Sequence, residues 1–389
     1  MQPRPFSVLV ASDWAPIRAF DPIVRNDPSA IYGDMLSTLQ DADLRLVNCE
    51  CALTRADKPA WKSGAVFKGA PEHVAGLTAV PFDIACLANN HVLDYGEGGL
   101  RETLRVLHGR GIRTVGAGLS AEEAYAPLTL TVKGRRVHIV NVSEGEDETA
   151  SHGGAGVFGW DIQRAVDTIS RCRDDGGVVI VVAHCGLEYV PFAPPYVVQA
   201  FRAFADAGAH AVIGHHPHVP QGVEWRGQTP VIYSLGNFAF YQPTDLYHRK
   251  TGFCVTLRFT GDRVAHADLH PYRITDQGLC ALDAVEGTAF YKTMARLSKP
   301  YTTPAGHERA WDAYLEYYGA AGFAIEVTAI LDKMRTDPQK GAAMFRNRIM
   351  TVQHIELWRT HLTRVMAGGT PRHTKDTYAL VEEYFTRRT

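Results

Sequence analysis

Gly214-His215-His216-Pro217-His218 places three imidazoles within four positions, directly after the apolar run Ala211-Val212-Ile213. They stand where a buried strand surfaces. Imidazole is the commonest side-chain metal ligand, and a His-x-His pair just past a strand end aims two nitrogens at one ion. Four further apolar runs end in the same way. Leu9-Val10-Ala11-Ser12-Asp13 ends in a carboxylate, and Leu44-Arg45-Leu46-Val47-Asn48-Cys49-Glu50 in an amide and a carboxylate. Ile84-Ala85-Cys86-Leu87-Ala88-Asn89-Asn90-His91 ends in two amides and an imidazole, and Val178-Val179-Ile180-Val181-Val182-Ala183-His184 in an imidazole. Five such endings ask for a sheet whose strand-end edge gathers metal-compatible groups, the edge where α/β folds place their sites.

Up to about residue 283, apolar strands alternate with helical stretches, which reads as α/β. Strands are expected at 6–12, 43–48, 83–88, 112–115, 126–132, 136–142, 178–184, 210–214, 229–235, 252–259 and 263–272. Helices are expected at 32–41, 71–78, 97–109, 121–124, 160–174 and 194–207. Thr260-Gly261-Asp262 between the last two strands predicts a hairpin, so the sheet is mixed or there are two packed sheets. From about residue 284 the pattern turns helical, over 284–297, 307–333, 338–366 and 373–387, with Pro338 at a helix start after Asp337. The division expected is therefore 1–283 as the α/β unit and 284–389 as a helical extension packed on it. The aromatics of this tail, Trp311, Tyr314, Tyr317, Tyr318, Phe345 and Trp358, read mainly as packing, with some free to line a groove.

The composition is that of an ordinary globular protein, 46% hydrophobic and 21% charged over 389 residues. With a net charge of −2 and no Lys/Arg block, neither nucleic acid nor a membrane surface is an expected partner. Met1 to Pro5 lead straight into a strand with no signal-peptide pattern, and no apolar run reaches membrane-spanning length, so a cytoplasmic setting is expected. The seven cysteines do not form a disulfide or zinc-finger pattern and read as small apolar residues.

Taken singly, the candidate ligands have plain explanations: Asp13 as a turn cap, Glu50 as a solvated carboxylate, Asn89 and Asn90 as turn residues, His184 as a bonded core histidine. Recurrence at strand ends is what sets them apart. Leu87-Ala88-Asn89-Asn90-His91-Val92-Leu93-Asp94-Tyr95-Gly96 resembles the signature of CapA-type proteins of poly-γ-glutamate capsule synthesis. Asn48 to Thr54 is similar to their N-x-E-x-x-L-T segment and His184 to Tyr189 to their H-x-G-x-E-Y segment. Gly214 to His218 and Tyr233-Ser234-Leu235-Gly236-Asn237-Phe238 complete the set in order. The resemblance covers residues 6 to about 260 and leaves out the helical tail.

CapA-like proteins are relatives of the calcineurin-like metallophosphoesterases. The resemblance implies a two-sheet sandwich flanked by helices, here with a C-terminal helical appendage, and a metal centre at one edge. It implies Asp13, Glu50, Asn90, His184, His216 and His218 as metal ligands, and His91 as the acid/base histidine of the Asn-His motif. This chain departs from the wider superfamily at the first strand, where Asp13-Trp14-Ala15 replaces Asp-x-His, and at Glu50, which replaces an aspartate. A site with fewer imidazoles favours harder ions, Ca²⁺, Mg²⁺ or Mn²⁺, and weakens the expectation of two-metal phosphoester hydrolysis.

His91 and Asp94 are three apart and can share a face, giving either an acid/base pair or a turn cap. His215 is expected beside the ligands or at the surface. Stand-alone chains of this kind are also similar to the lasso-peptide epimerase, which implies a metal-dependent isomerase acting on a peptide substrate. Such an enzyme inverts the Cα of a C-terminal tryptophan by two-sided acid/base catalysis, with His91, Asp94, Asp13 and His216 as proton-handling groups. No lysine motif for pyridoxal and no dinucleotide loop is evident, so no organic cofactor is expected. Poly-γ-glutamate synthesis or hydrolysis, phosphoester hydrolysis and a non-enzymatic binding role are the alternatives.

Overall fold

The computed structural model describes residues 4–145, 150 and 153–389. Two sheets face each other. The first runs, in spatial order, Leu279–Ala281, Arg263–Ile274, Thr251–Thr260, Phe6–Ala15, Leu44–Cys49, Ile84–Cys86 and Arg113–Val115. The last four are parallel and the first three are joined antiparallel. The second runs Val223–Arg226, Thr229–Ile232, Ala211–His215, Val178–His184, Arg135–Ser143 and Leu128–Val132, parallel at its centre and antiparallel at both edges. The expected hairpin is present, with Thr260 paired to Arg263.

Strand periodicity explains the layering. Val8, Val10, Leu46, Ile84, Val137, Ile139, Val178, Ile180, Val182 and Ile213 point into one core shared by the two sheets. Their neighbours Leu9, Ala11, Val47 and Ala85 pack outward under one set of helices. Val179, Val181, Ala183 and Val212 pack under another. Strands buried on both faces read as continuous apolar runs, and each such side chain contributes roughly 1.5–3 kcal/mol on burial. The result is a two-sheet α/β sandwich flanked by helices.

The strand Phe6–Ala15 changes partner along its length. It pairs antiparallel with Thr251–Thr260 up to Val10, then parallel with Asn237–Phe240 from Asp13 onward. That switch sets Asp13 between Asn48 and Asn237. The short strand Asn237–Phe240 was not among those expected; neither was the helix Phe20–Asn26.

The C-terminal helices are Ala284–Ser298, Gly306–Thr336, Pro338–Met350, Val352–Met366 and Lys375–Thr386. Asp337 caps the third by accepting from the Lys340 N–H, with Pro338 in its first turn as expected. The single helix expected over 338–366 is two. Thr351 is extended, with φ −89° and ψ 137°, so the ladder stops and restarts there. The long helix also kinks, at Gly319, where φ is 53°. Trp311, Leu357, Leu380 and Tyr384 join the inter-sheet core, and the Tyr384 hydroxyl donates to the Pro220 carbonyl at 2.8 Å. No helix among the described residues is long and apolar enough to cross a membrane. All seven cysteines are free, six of them buried.

Candidate metal centre

The five polar strand ends converge. Asp13 and Glu50 are fully buried, and His184, His216 and His218 are nearly so. Two sets of donor atoms are compact enough to hold an ion, Asp13–Glu50–His218 and Glu50–His184–His216, with Glu50 common to both. Glu188 with His216 and His218 forms a third, at the edge open to solvent.

Each ligand candidate is aimed by its own partner, as second-layer contacts do in metal sites. The Asn48 amide donates to Asp13 Oδ1 at 2.8 Å and lies 3.1 Å from His184 Nδ1. His184 Nε2 then faces Asn90 Oδ1 at 2.9 Å, His216 Nδ1 at 3.1 Å and Glu50 Oε1 at 3.5 Å. His218 Nδ1 lies 2.8 Å from Asn237 Oδ1, and the Asn237 NH₂ is fixed by donating to the His218 and Arg249 carbonyls. That leaves His218 Nε2 facing Glu50, 3.7 Å from Oε1.

The backbone here is held in costly conformations. His216 has φ 97° and His218 has φ 56°, left-handed values that cost of order 1–3 kcal/mol for residues with a Cβ and cluster at functional sites. Gly214 is required at its position, since a Cβ there would lie 2.0 Å from the Tyr233 carbonyl oxygen. His215 is buried, not exposed, and lies 3.3 Å from both Ser12 Oγ and Asp13 Oδ1.

The centre holds acceptor atoms that no protein donor satisfies. Both Glu50 oxygens and Asp13 Oδ2 lack a hydrogen-bond partner among the described residues. Burial and the nearby Asp13 charge push the Glu50 carboxyl well up. Burial opposes ionisation of Asp13 too, but the His215 and His218 imidazoles beside it prevail and hold it well below the usual range. Burial disfavours a charged His218, yet Glu50 and Asp13 together raise it to about 10. Orphaned carboxylate oxygens gathered with imidazole nitrogens in a buried pocket are the donor set a divalent cation takes. Asp13, Glu50, His184, His216 and His218, with the Asn90 amide beside them, fit that group.

His91 sits next to this set. Its Nδ1 is 2.7 Å from Asp94 Oδ2, and its Nε2 is 4.0 Å from Glu50 Oε1. Asp94 is no mere turn cap: its Oδ1 also accepts from buried Lys62 Nζ at 2.9 Å. Burial first, and then the Lys62 cation, depress His91 to about 4. His91 is therefore neutral at ordinary pH. Asp13 is fully buried, 3.3 Å from His215 Nδ1 and 3.4 Å from His218 Nδ1, and is not among the residues that line the cavity over the centre.

A cavity of about 610 Å³ opens over the centre, with Asn90, His91, Glu188, His216 and His218 in its wall. The helical tail roofs it through Tyr314, Tyr318, Arg348, Gln353 and His354. Lys62, Asn237, Gln353 and Glu188 were not singled out from sequence. Asn237 and Glu188 fall inside recognisable motifs, whereas Lys62 and Gln353 carry no local signal.

Fold and site together define a two-sheet α/β sandwich with a candidate metal centre at its strand-end edge. Residues 7–242 match the family of bacterial capsule synthesis proteins PGA_cap, and the chain belongs to that family. It is 33% identical over 174 residues to the PGA biosynthesis protein CapA of Bacillus subtilis, covering 44% of this chain and 46% of that protein. It is 33% identical over 224 residues to a probable polyglutamine synthesis accessory protein of Mycobacterium tuberculosis, covering 53% and 58%. It is 29% identical over 222 residues to the capsule biosynthesis protein CapA of Bacillus anthracis, covering 55% and 49%. The matches thus span about half the length of these relatives. The family match leaves residues 243–389, and with them most of the cavity roof, outside it.

Proposed function

We propose that this chain is a metal-dependent enzyme that moves a proton on a peptide held in the roofed cavity. The reaction we favour is inversion of the Cα of a C-terminal residue, the tryptophan of a lasso-precursor peptide. The observation that carries it is the His91–Asp94 pair, 2.7 Å apart at the cavity wall with Lys62 behind it. Asp94 accepts the Nδ1 proton, which leaves the Nε2 lone pair of a neutral imidazole free to take the Cα proton. His216 and Glu188, in the same wall, are the groups available to return a proton to the other face. A divalent ion, Ca²⁺, Mg²⁺ or Mn²⁺, supplies positive charge against the negative charge that develops on the substrate carbonyl. No organic cofactor enters this scheme. Residues 1–283 then form the catalytic unit and 284–389 its roof. The free thiols fit a reducing, cytoplasmic setting.

The names of the relatives support a second reading more directly: synthesis or hydrolysis of poly-γ-glutamate, with phosphoester hydrolysis as the wider chemistry of the fold. Incubation in D₂O with a linear precursor peptide separates the two. One deuterium gained at the C-terminal Cα, lost with chelator, supports inversion. Cleavage of a γ-glutamyl chain or a phosphoester without exchange supports the second reading.

A further inference from the structure

Two guanidinium groups in the cavity wall are each laid on an aromatic ring that leans on a site imidazole. Arg249 Cζ lies 3.5 Å from the centroid of Tyr189, whose ring centroid is 6.0 Å from that of His218. Arg18 Cζ lies 5.4 Å from the centroid of Phe67, whose ring centroid is 4.3 Å from that of His91. Both arginines, both rings and both imidazoles line the cavity.

Neither arginine is neutralised. No described carboxylate oxygen lies within 4.0 Å of either guanidinium, whereas Arg348 in the same cavity is paired with Glu326 at 2.6 Å. Arg18 gives one N–H to the Tyr241 carbonyl at 2.9 Å. The buried Nε of Arg249 has no hydrogen-bond partner at all among the described residues. Glu188 is close enough for its charge to act on Arg249, but makes no ion pair with it. The turn that carries Arg249 is fixed independently of its side chain, because the Arg249 carbonyl accepts from the Asn237 amide that also orients His218. Stacking on Tyr189 holds the Arg249 guanidinium in place and leaves its Nη edge for a planar anion, while Arg18 lies more loosely over Phe67.

We propose that Arg249, with Arg18 in the same cavity wall, is the docking site for a substrate carboxylate, which sets the reacting carbon against His91. This rests on the reading of the cavity as the substrate site, and deepens it by naming the chemistry of the group held: a free carboxylate, as at a peptide C-terminus or on a γ-glutamyl unit, and not a neutral amide. A carboxylate buried without such a partner loses its hydration with nothing to replace it.

The test is binding by the full-length protein, measured by calorimetry with three probes: a synthetic peptide ending in tryptophan as the free acid, the same peptide as the carboxamide, and an oligo-γ-glutamate. The free acid or the oligo-γ-glutamate is expected to bind, with the carboxamide weaker by about tenfold to a hundredfold. Arg249→Gln removes that preference and Arg249→Lys restores only part of it. Arg18→Gln weakens it less. Equal binding of acid and carboxamide to the unaltered protein would overturn the proposal, as would a preference unchanged in Arg249→Gln. Displacement of the bound peptide by inorganic phosphate at equal concentration would also overturn it, in favour of a phosphate site. Carboxylate-dependent binding without Cα exchange sinks only the inversion chemistry, so the two failures are told apart.

Discussion

Gln353 Oε1 lies 3.1 Å from His216 Nε2, a contact across 137 positions that ties the helical tail to the metal centre. An imidazole that gives its Nε2 proton to an amide oxygen presents Nδ1 as its lone-pair nitrogen, and here Nδ1 is the atom facing His184. The tail therefore does more than cover the cavity; it selects the tautomer of a ligand candidate.

Gln353→Leu is accordingly expected to weaken metal binding by about tenfold to a hundredfold, the usual effect of losing a partner behind a ligand histidine. Gln353→Glu, which keeps an acceptor, should retain most of the affinity. Metal titration followed by calorimetry measures both. Equal affinity in Gln353→Leu and the unaltered protein would show that the contact is incidental.

The orphaned oxygens of Glu50 make a second prediction. A cation bound only by the folded state stabilises it, by about 2.7 kcal/mol at a free concentration a hundred times Kd. The melting temperature should rise with Ca²⁺, Mg²⁺ or Mn²⁺ and fall back with chelator. Glu50→Gln, which belongs to both donor triads, should lose most of that rise. Without metal it should be no less stable than the parent, because it removes a buried carboxylate beside Asp13. A melting temperature indifferent to all three ions would exclude these as ligands.

His91, Asp94 and Lys62 behave as one unit on this geometry. His91→Gln is expected to lower Cα exchange by about 10²–10⁴-fold, the range of general acid/base catalysis, with the metal-induced rise in melting temperature intact. Lys62→Met removes a cation that disfavours the charged imidazole, so the His91 pKa should move up from about 4. The acid limb of the pH–rate profile would move up with it. A limb that stays in place in Lys62→Met would mean that His91 does not limit the rate.

What could be read in advance was the layering and the edge. Val178, Ile180 and Val182 alternate with Val179, Val181 and Ala183 between two cores, and each such run ends in the polar group its strand delivers. Contacts that depend on distant pairing left no local trace. Lys62 sits in a loop without periodicity and meets Asp94 32 positions later. Gln353 is aimed at His216 only because the chain turns extended at Thr351, where neither glycine nor proline marks a stop. Arg249 looks like any surface arginine until the fold lays it on Tyr189.

Glu144 gives a prediction away from the metal. Both its oxygens accept from the Tyr196 hydroxyl, at 2.8 and 2.7 Å, and Oε1 also accepts from the Gly186 N–H. Burial dominates these bonds and lifts the carboxyl from its ordinary 4.5 to about 8. The folded state then holds this proton more tightly than the unfolded chain. Its contribution to stability is full below about pH 4.5 and is lost as pH rises through about 8. Glu144→Gln keeps an acceptor for Tyr196 but cannot ionise. Its unfolding free energy should vary less between pH 5 and 8 than that of the unaltered protein, and should overtake it at the alkaline end. Urea unfolding at a series of pH values measures this, and parallel curves would mean that Glu144 is already ionised in the fold.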